Sequence, residues 1–108
     1  MQAYIPLKAI LDMKTSFEDA DFWLIRKGSE GALGRPVKEY LPSHIGVRLN
    51  DVGRQILDPN YLYYLFVFIH GQGVWTQLAL GTTNLKHITL SSAKNFAIPI
   101  EVPDDFHG

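Results

Sequence analysis

Leu57-Asp58-Pro59-Asn60-Tyr61-Leu62-Tyr63-Tyr64-Leu65-Phe66-Val67-Phe68-Ile69-His70-Gly71 is the stretch on which the fold turns. Asp58 suits a helix N-cap, because its carboxylate accepts bonds from backbone N–H groups left over at a helix start. Pro59 fits the first helical position, where its missing N–H is not needed. Nine consecutive apolar or aromatic residues run from Tyr61 to Ile69, and His70 and Gly71 supply stop signals. On a helix, Leu62, Leu65, Phe66 and Ile69 form one stripe, flanked by Tyr61, Tyr64 and Phe68. A buried strand is the competing reading, since aromatics, Val and Ile favour strands and short apolar runs are ambiguous. The cap decides for a core helix at about 58–70. The run is too short for a bilayer, which needs about 20 apolar residues.

A chain of 108 residues makes one domain, 1–108, with a single core and little to spare. With 46% hydrophobic and 19% charged residues it has the balance of an ordinary globular protein. It contains no cysteine, so neither a disulfide framework nor thiolate chemistry is available. Ten basic against eleven acidic residues give a net charge of −1, so a polyanionic partner would have to meet a local patch. Residues 1–14 lack the basic start and apolar run of a signal peptide, and a cytoplasmic protein without membrane contact is the expectation.

Outward from the helix, Tyr4 to Leu11 is apolar enough to dock on the core, with Pro6 opening a helical turn. Lys14 to Asp21 reads as a polar turn, and Phe22–Ile25 as a central strand with bulky residues on both faces. Val37–Tyr40 and Ile45–Leu49 are further strand candidates, and Asn50–Gln55 is a turn. Val74–Leu80 forms a second short helix with Val74, Leu78 and Trp75 inward, broken by Gly81-Thr82-Thr83-Asn84. Leu85–Leu90 is extended, and Ser91–Asn95 makes one capped helical turn. Phe96–Val102 closes as a strand whose Pro99 argues for an edge or a bulge. The expected class is α+β: a small mixed or antiparallel sheet with short helices packed on one side.

Catalytic signatures are thin. His44, His70, His87 and His107 show no ligand spacing and have no cysteine partner, so no metal or other cofactor is expected. Glu18, Asp19 and Asp21 could pair for acid–base work, but they read better as a solvated turn. Asp58-Pro59-Asn60-Tyr61 is similar to the Asp/Asn-Pro-Pro-Tyr loop of amino-group DNA methyltransferases. Its third position is Asn, however, and no Gly-rich cofactor loop accompanies it. Pro103-Asp104-Asp105 resembles the opening of a PD-(D/E)xK nuclease site, yet no strand with Glu-x-Lys follows. The chain reads as a non-enzyme.

Two loops carry more information. In Arg26-Lys27-Gly28-Ser29-Glu30-Gly31-Ala32-Leu33-Gly34-Arg35, glycines at every third position allow positive φ and bring N–H groups near a ligand. Arg26, Lys27 and Arg35 surround them with charge that suits phosphate oxygens. It is not a P-loop, because no Gly-Lys-Ser/Thr follows. A tight turn between strands, its charges facing water, is an equal reading. Gly81-Thr82-Thr83-Asn84-Leu85-Lys86-His87-Ile88-Thr89 offers hydroxyls, an amide, a cation and an imidazole that can contact phosphates or base edges. Such a loop can also serve only to turn a corner.

In order, these pieces resemble the target-recognition domains of type I restriction–modification specificity (S) subunits. The matching residues are Leu24-Ile25-Arg26-Lys27-Gly28-Ser29 with Leu33-Gly34, then Pro59-Asn60-Tyr61-Leu62-Tyr63-Tyr64-Leu65. Gly81-Thr82-Thr83 with Lys86-His87-Ile88-Thr89, and Phe96-Ala97-Ile98-Pro99-Ile100, complete the set, and Tyr4–Ile10 is similar to the family's opening. Two departures stand out. Only Asp21-Phe22-Trp23 remains of the family's long variable insertion, and Val102–Phe106 replaces the run that begins its spacer helix.

The resemblance implies a lone, trimmed recognition domain, encoded by a mobile element or phage, that binds double-stranded DNA without catalysis. Arg26, Lys27 and Arg35 would contact phosphates, with Thr83, Lys86 and His87 near the groove and Ser29 also among the DNA-binding residues. The alternative is a protein-interaction module that keeps the fold without touching DNA. It would sit on restriction–modification subunits or self-associate, using exposed Trp23, Trp75 or Tyr40. The two readings part on whether the basic residues of the two loops converge.

Overall fold

The computed structural model describes residues 2–29, 31–81 and 86–101. In chain order, β1 (Gln2–Pro6), the short helix α1 (Leu7–Ile10) and β2 (Leu11–Lys14) lead through a loop to β3 (Phe22–Leu24). Two-residue strands β4 (Lys27–Gly28) and β5 (Pro36–Val37) bracket the glycine-rich turn, and β6 (Ile45–Leu49) follows. Helices α2 (Asp51–Arg54), α3 (Pro59–Gly71) and α4 (Val74–Leu78) come next. The chain then runs through β7 (Leu80–Gly81), β8 (Lys86–His87), α5 (Leu90–Asn95) and β9 (Ala97–Glu101). The α+β class holds. Instead of one sheet the described residues form three, β1-β9, β2-β6-β3-β5 and β4-β8-β7, and the strands pair antiparallel throughout.

The decisive helix forms as its cap dictates. The Asp58 carboxylate accepts the Asn60 N–H at 2.8 Å, and Pro59 occupies the first turn. Leu62, Phe66 and Ile69 are buried, whereas Leu65 is only half-buried. Tyr61, Tyr64 and Phe68 face solvent, and Tyr63 is the tyrosine that turns to the sheet. Its ring meets Phe22 edge-on at 5.4 Å, and Phe66 meets the same ring at 5.4 Å. The stop lies later than His70-Gly71. The helix includes Gly71, and Gly73 takes the left-handed conformation at φ 73° that ends it, its N–H bonding the His70 carbonyl.

The inner face of the four-stranded sheet is apolar. Leu11, Met13, Phe22, Leu24, Ile45, Val47 and Leu49 are all buried in the cluster that also holds Leu62, Phe66 and Trp75. The strand Leu11–Lys14 takes in the end of the expected helical turn at Leu11 and the start of the expected polar turn at Lys14. It alternates buried and exposed residues and pairs with Leu49–Gly46 on β6, because Leu11 and Met13 have an apolar face to join. The strand expected at Val37–Tyr40 shrinks to Pro36-Val37. Beyond it the side chains turn elsewhere, Lys38 Nζ lying 4.6 Å from the Tyr63 ring centroid and Tyr40 packing edge-on against Trp23. Asn50–Gln55 is a short capped helix rather than a plain turn, the Asn50 side chain accepting the Gly53 N–H at 2.8 Å.

Toward Glu101 the expected helical turn and closing strand form as α5 and β9, the helix taking in Leu90 and the strand running from Ala97 to Glu101; Leu85 and Val102 lie outside the described residues. Thr89 caps α5 through the Ser92 N–H at 3.1 Å. Pro99 sits on β9, which pairs with β1 in a two-stranded sheet, so its missing N–H interrupts no central ladder.

Candidate nucleic-acid interface

The two informative loops meet through backbone pairing. Lys27 lies opposite His87 and Gly28 opposite Lys86, while Leu80 and Gly81 pair with the other edge of the same β8 residues. In an antiparallel ladder, paired residues share a face. Lys27 and His87 therefore share one face with Leu80, and Lys86 shares the other with Gly28 and Gly81. The glycines leave the ribbon's second face low around Lys86. Thr83 lies outside the described residues.

Arg26 turns inward and clamps the ribbon's base. Its carbonyl accepts the Ile88 N–H at 2.9 Å and its Nε donates back to the Ile88 carbonyl at 3.1 Å. That engagement gives it a structural part which the sequence did not signal. Lys27 and Ser29 are exposed. Arg35, also exposed, stands at the far end of the turn, its Nη2 3.4 Å from the Gly31 carbonyl.

In the glycine-rich turn, four of the described N–H groups are already bonded within the chain. The Ala32 and Leu33 N–H groups bond the Ser29 carbonyl, Gly34 bonds Ile25 and Arg35 bonds Ala32. Gly34 is required for packing: at φ 76°, a Cβ there would lie 1.9 Å from Trp75 Cδ1. His70 Nε2 lies 3.0 Å from the Gly31 carbonyl and ties the turn to the end of α3. In sequence, His70 signals a helix stop and shows no ligand spacing, and neither foretells this contact.

Elsewhere the chemistry is sparse. Among the described residues no cluster of three or more His, Cys, Asp or Glu could hold a metal ion. Asp58 is occupied as a cap, and Asp21 accepts the Leu49 N–H at 3.2 Å. His107, Asp104 and Asp105 lie outside the described residues. His44 is the histidine with a resolved perturbation, its pKa held below the ordinary 6.5 by burial. No described helix is long and apolar enough to cross a membrane. Trp23 and Trp75 are buried and Tyr40 is half-buried, so the two tryptophans cannot serve as exposed interaction residues. Among the described residues the strongly exposed aromatics are Tyr61, Tyr64 and Phe68 on α3, together with Tyr4.

Sequence reading also passed over Lys8, Lys14, Arg48 and Lys94, which the fold gathers into one groove. The signal available was the apolar–charged alternation Leu11-Asp12-Met13-Lys14, a half-buried strand.

Comparison with known proteins places the fold. The chain is similar to the crystal structure of a type I restriction–modification system S subunit from M. genitalium, with a TM-score of 0.66 over 93% of this chain. The two are 19% identical, and the match spans 34% of that subunit's length. No family model and no curated protein sequence matches. The architecture is therefore that of an S-subunit-like domain.

Proposed function

We propose that this chain is a non-catalytic DNA-binding domain that holds double-stranded DNA through cations displayed on the β4-β8-β7 ribbon and its adjoining turn. The observation that carries the reading is the Lys27–His87 and Gly28–Lys86 pairing, which joins two loops nearly sixty residues apart. Lys27, Arg35 and Lys86 supply positive charge, and Ser29 and Thr83 supply hydroxyls. Phosphate contacts of this kind position a protein on a duplex, while base edges specify the sequence. To His87, and to Thr83 by its place in the sequence, we assign contact with base edges. Arg26 acts from beneath by fixing the ribbon to the run into α5. The similarity to an S subunit supports the same reading and makes restriction–modification subunits the natural protein partners. A cytoplasmic location follows from those partners.

A double variant, Lys27→Ala with Arg35→Ala, tests the assignment on a fluorescent duplex. Removing two phosphate contacts flattens the dependence of log K on log[salt] by about two units. An unchanged slope would remove both residues from the interface. Incubation of the wild-type chain with duplex, S-adenosylmethionine and Mg²⁺ should give neither methylation nor cleavage.

A second reading rests on α3. Tyr61, Tyr64 and Phe68 recur at i, i+3 and i+7 and are 57%, 69% and 63% exposed, an aromatic stripe of the kind found on protein-interaction surfaces. Loss of a partner on Tyr64→Ala, with duplex binding intact, would assign that face to assembly.

A further inference from the structure

We propose that the groove between α1, β2, β6 and α5 is a second seat for the phosphate backbone, separate from the β4-β8-β7 ribbon. This inference rests on the reading of the chain as a DNA-binding domain. The groove has a volume of about 490 Å³ and, among the described residues, is lined by Lys8, Lys14, Arg48 and Lys94 with a single acid, Asp12. Among the described residues four cations thus meet one acid here, in a chain whose net charge is −1.

The construction of the groove starts from Gly46. A Cβ there would lie 2.6 Å from Phe17 Cβ and 3.0 Å from Ala20 Cβ, so the bare glycine lets Phe17 lie on the outer face of β6. The Trp23 Nε1–H donates to the Phe17 carbonyl at 2.8 Å and fixes that loop. The Phe17 ring then collects two cations, Lys14 Nζ at 4.6 Å and Arg48 Cζ at 5.0 Å from its centroid. Such contacts hold long side chains in place and reduce the rotamer freedom lost when they grip a ligand. Gathering like charges around one ring is unfavourable by itself, and an anion between them removes the repulsion.

The donor set selects the anion. Arg48 Nη2 lies 3.4 Å from the Asp12 carboxylate, so its planar fork is partly occupied and ill-placed for bidentate capture of a second carboxylate. The other three cations are lysines, point charges that suit phosphate oxygens without fixed geometry. Lys8 and Lys94 have no ion-pair partner among the described residues. The groove is open, and the described chain buries no polar or charged side chain that could orient a small molecule there. Those properties fit a repeating, sequence-independent polyanion. β2 and β5 are opposite edges of the four-stranded sheet, and the glycine-rich turn leads into β5. Three strand spacings, about 14 Å, therefore lie between the groove's edge of the sheet and the turn's edge.

The test compares Lys8→Ala/Lys94→Ala with Lys27→Ala/Arg35→Ala on one labelled duplex across a salt series. With both seats used, the Lys8/Lys94 variant loses affinity at low salt, and its slope flattens by about two units without change in the denaturation midpoint. Wild-type slope and affinity in that variant, with flattening confined to Lys27/Arg35, would overturn the groove while leaving the DNA reading in place. Flattening confined to Lys8/Lys94 would support the groove and remove the ribbon assignment. Absence of duplex binding by the wild type overturns both. Capture of polyglutamate in preference to duplex, lost in the Lys8/Lys94 variant, would make the groove a protein-docking site and overturn the phosphate assignment.

Discussion

The two faces of the β2-β6-β3-β5 sheet are built by different rules. The inner face carries Leu11, Met13, Phe22, Leu24, Ile45, Val47 and Leu49 in one apolar cluster with α3 and α4. On the outer face, Trp23 and Gly46 are covered by the Phe17 loop, and Asp12, Lys14 and Arg48 stand beside that cover. Hydrophobic burial alone specifies the first arrangement. The second depends on one missing Cβ and a loop that brings an aromatic ring to meet charge. The inner face is a scaffold, and the outer face is where charge is displayed.

The sharpest way to break this contrast is Phe66→Ala. Phe66 is 0% exposed and touches the rings of both Phe22 and Trp75, so its loss leaves a cavity worth about 3–5 kcal/mol in a denaturant titration. Leu65→Ala should cost clearly less, since its side chain is half-buried; equal costs would mean the helix face is drawn wrongly.

On the outer face the expected effect is smaller. Gly46→Ala drives a Cβ into Phe17, and overpacking of this kind costs about 1–3 kcal/mol. It should also displace the cations stacked on that ring, so duplex affinity falls along with the unfolding midpoint. A Gly46→Ala protein of wild-type stability would show that Phe17 does not depend on this approach.

The smallest effect concerns His44, in the stretch between Tyr40 and β6. Burial holds its folded pKa below the ordinary 6.5, so the folded state disfavours the proton. The stability tied to neutral His44 is present above the unfolded value and is lost as pH falls through the lower folded pKa. His44→Gln should remove that part of the acid sensitivity while matching wild type near neutral pH. Parallel stability profiles below pH 6.5 for the two proteins would contradict it.

What could be read from the chain follows the range over which each signal acts. The Asp58 cap, the Ile45–Leu49 strand and the edge position of Pro99 are local patterns, and each holds; of the stripe Leu62, Leu65, Phe66 and Ile69, all but the half-buried Leu65 are buried. Tyr63's turn toward Phe22, in place of Tyr61, depends on which side of α3 the sheet lies, and periodicity does not say. Two-residue strands have no period at all, so the meeting of Lys27 with His87 could be posed as a question but not answered. The same limit hid the roles of Arg26 and Gly34, whose partners Ile88 and Trp75 are distant in sequence. The four cations of the groove come from four separate elements, and only the alternation at Leu11–Lys14 hinted at one of them.

Titration of the wild-type chain against a labelled duplex over a series of salt concentrations tests the central claim most directly. Three cations, Lys27, Arg35 and Lys86, each neutralising one phosphate, imply a slope of log K against log[salt] of about −3, and steeper when the groove also contributes. Binding should be clear at low salt and of micromolar or poorer affinity near physiological ionic strength, as for largely non-specific contacts. A chain that shows no salt-dependent binding to any duplex at low salt would contradict the account.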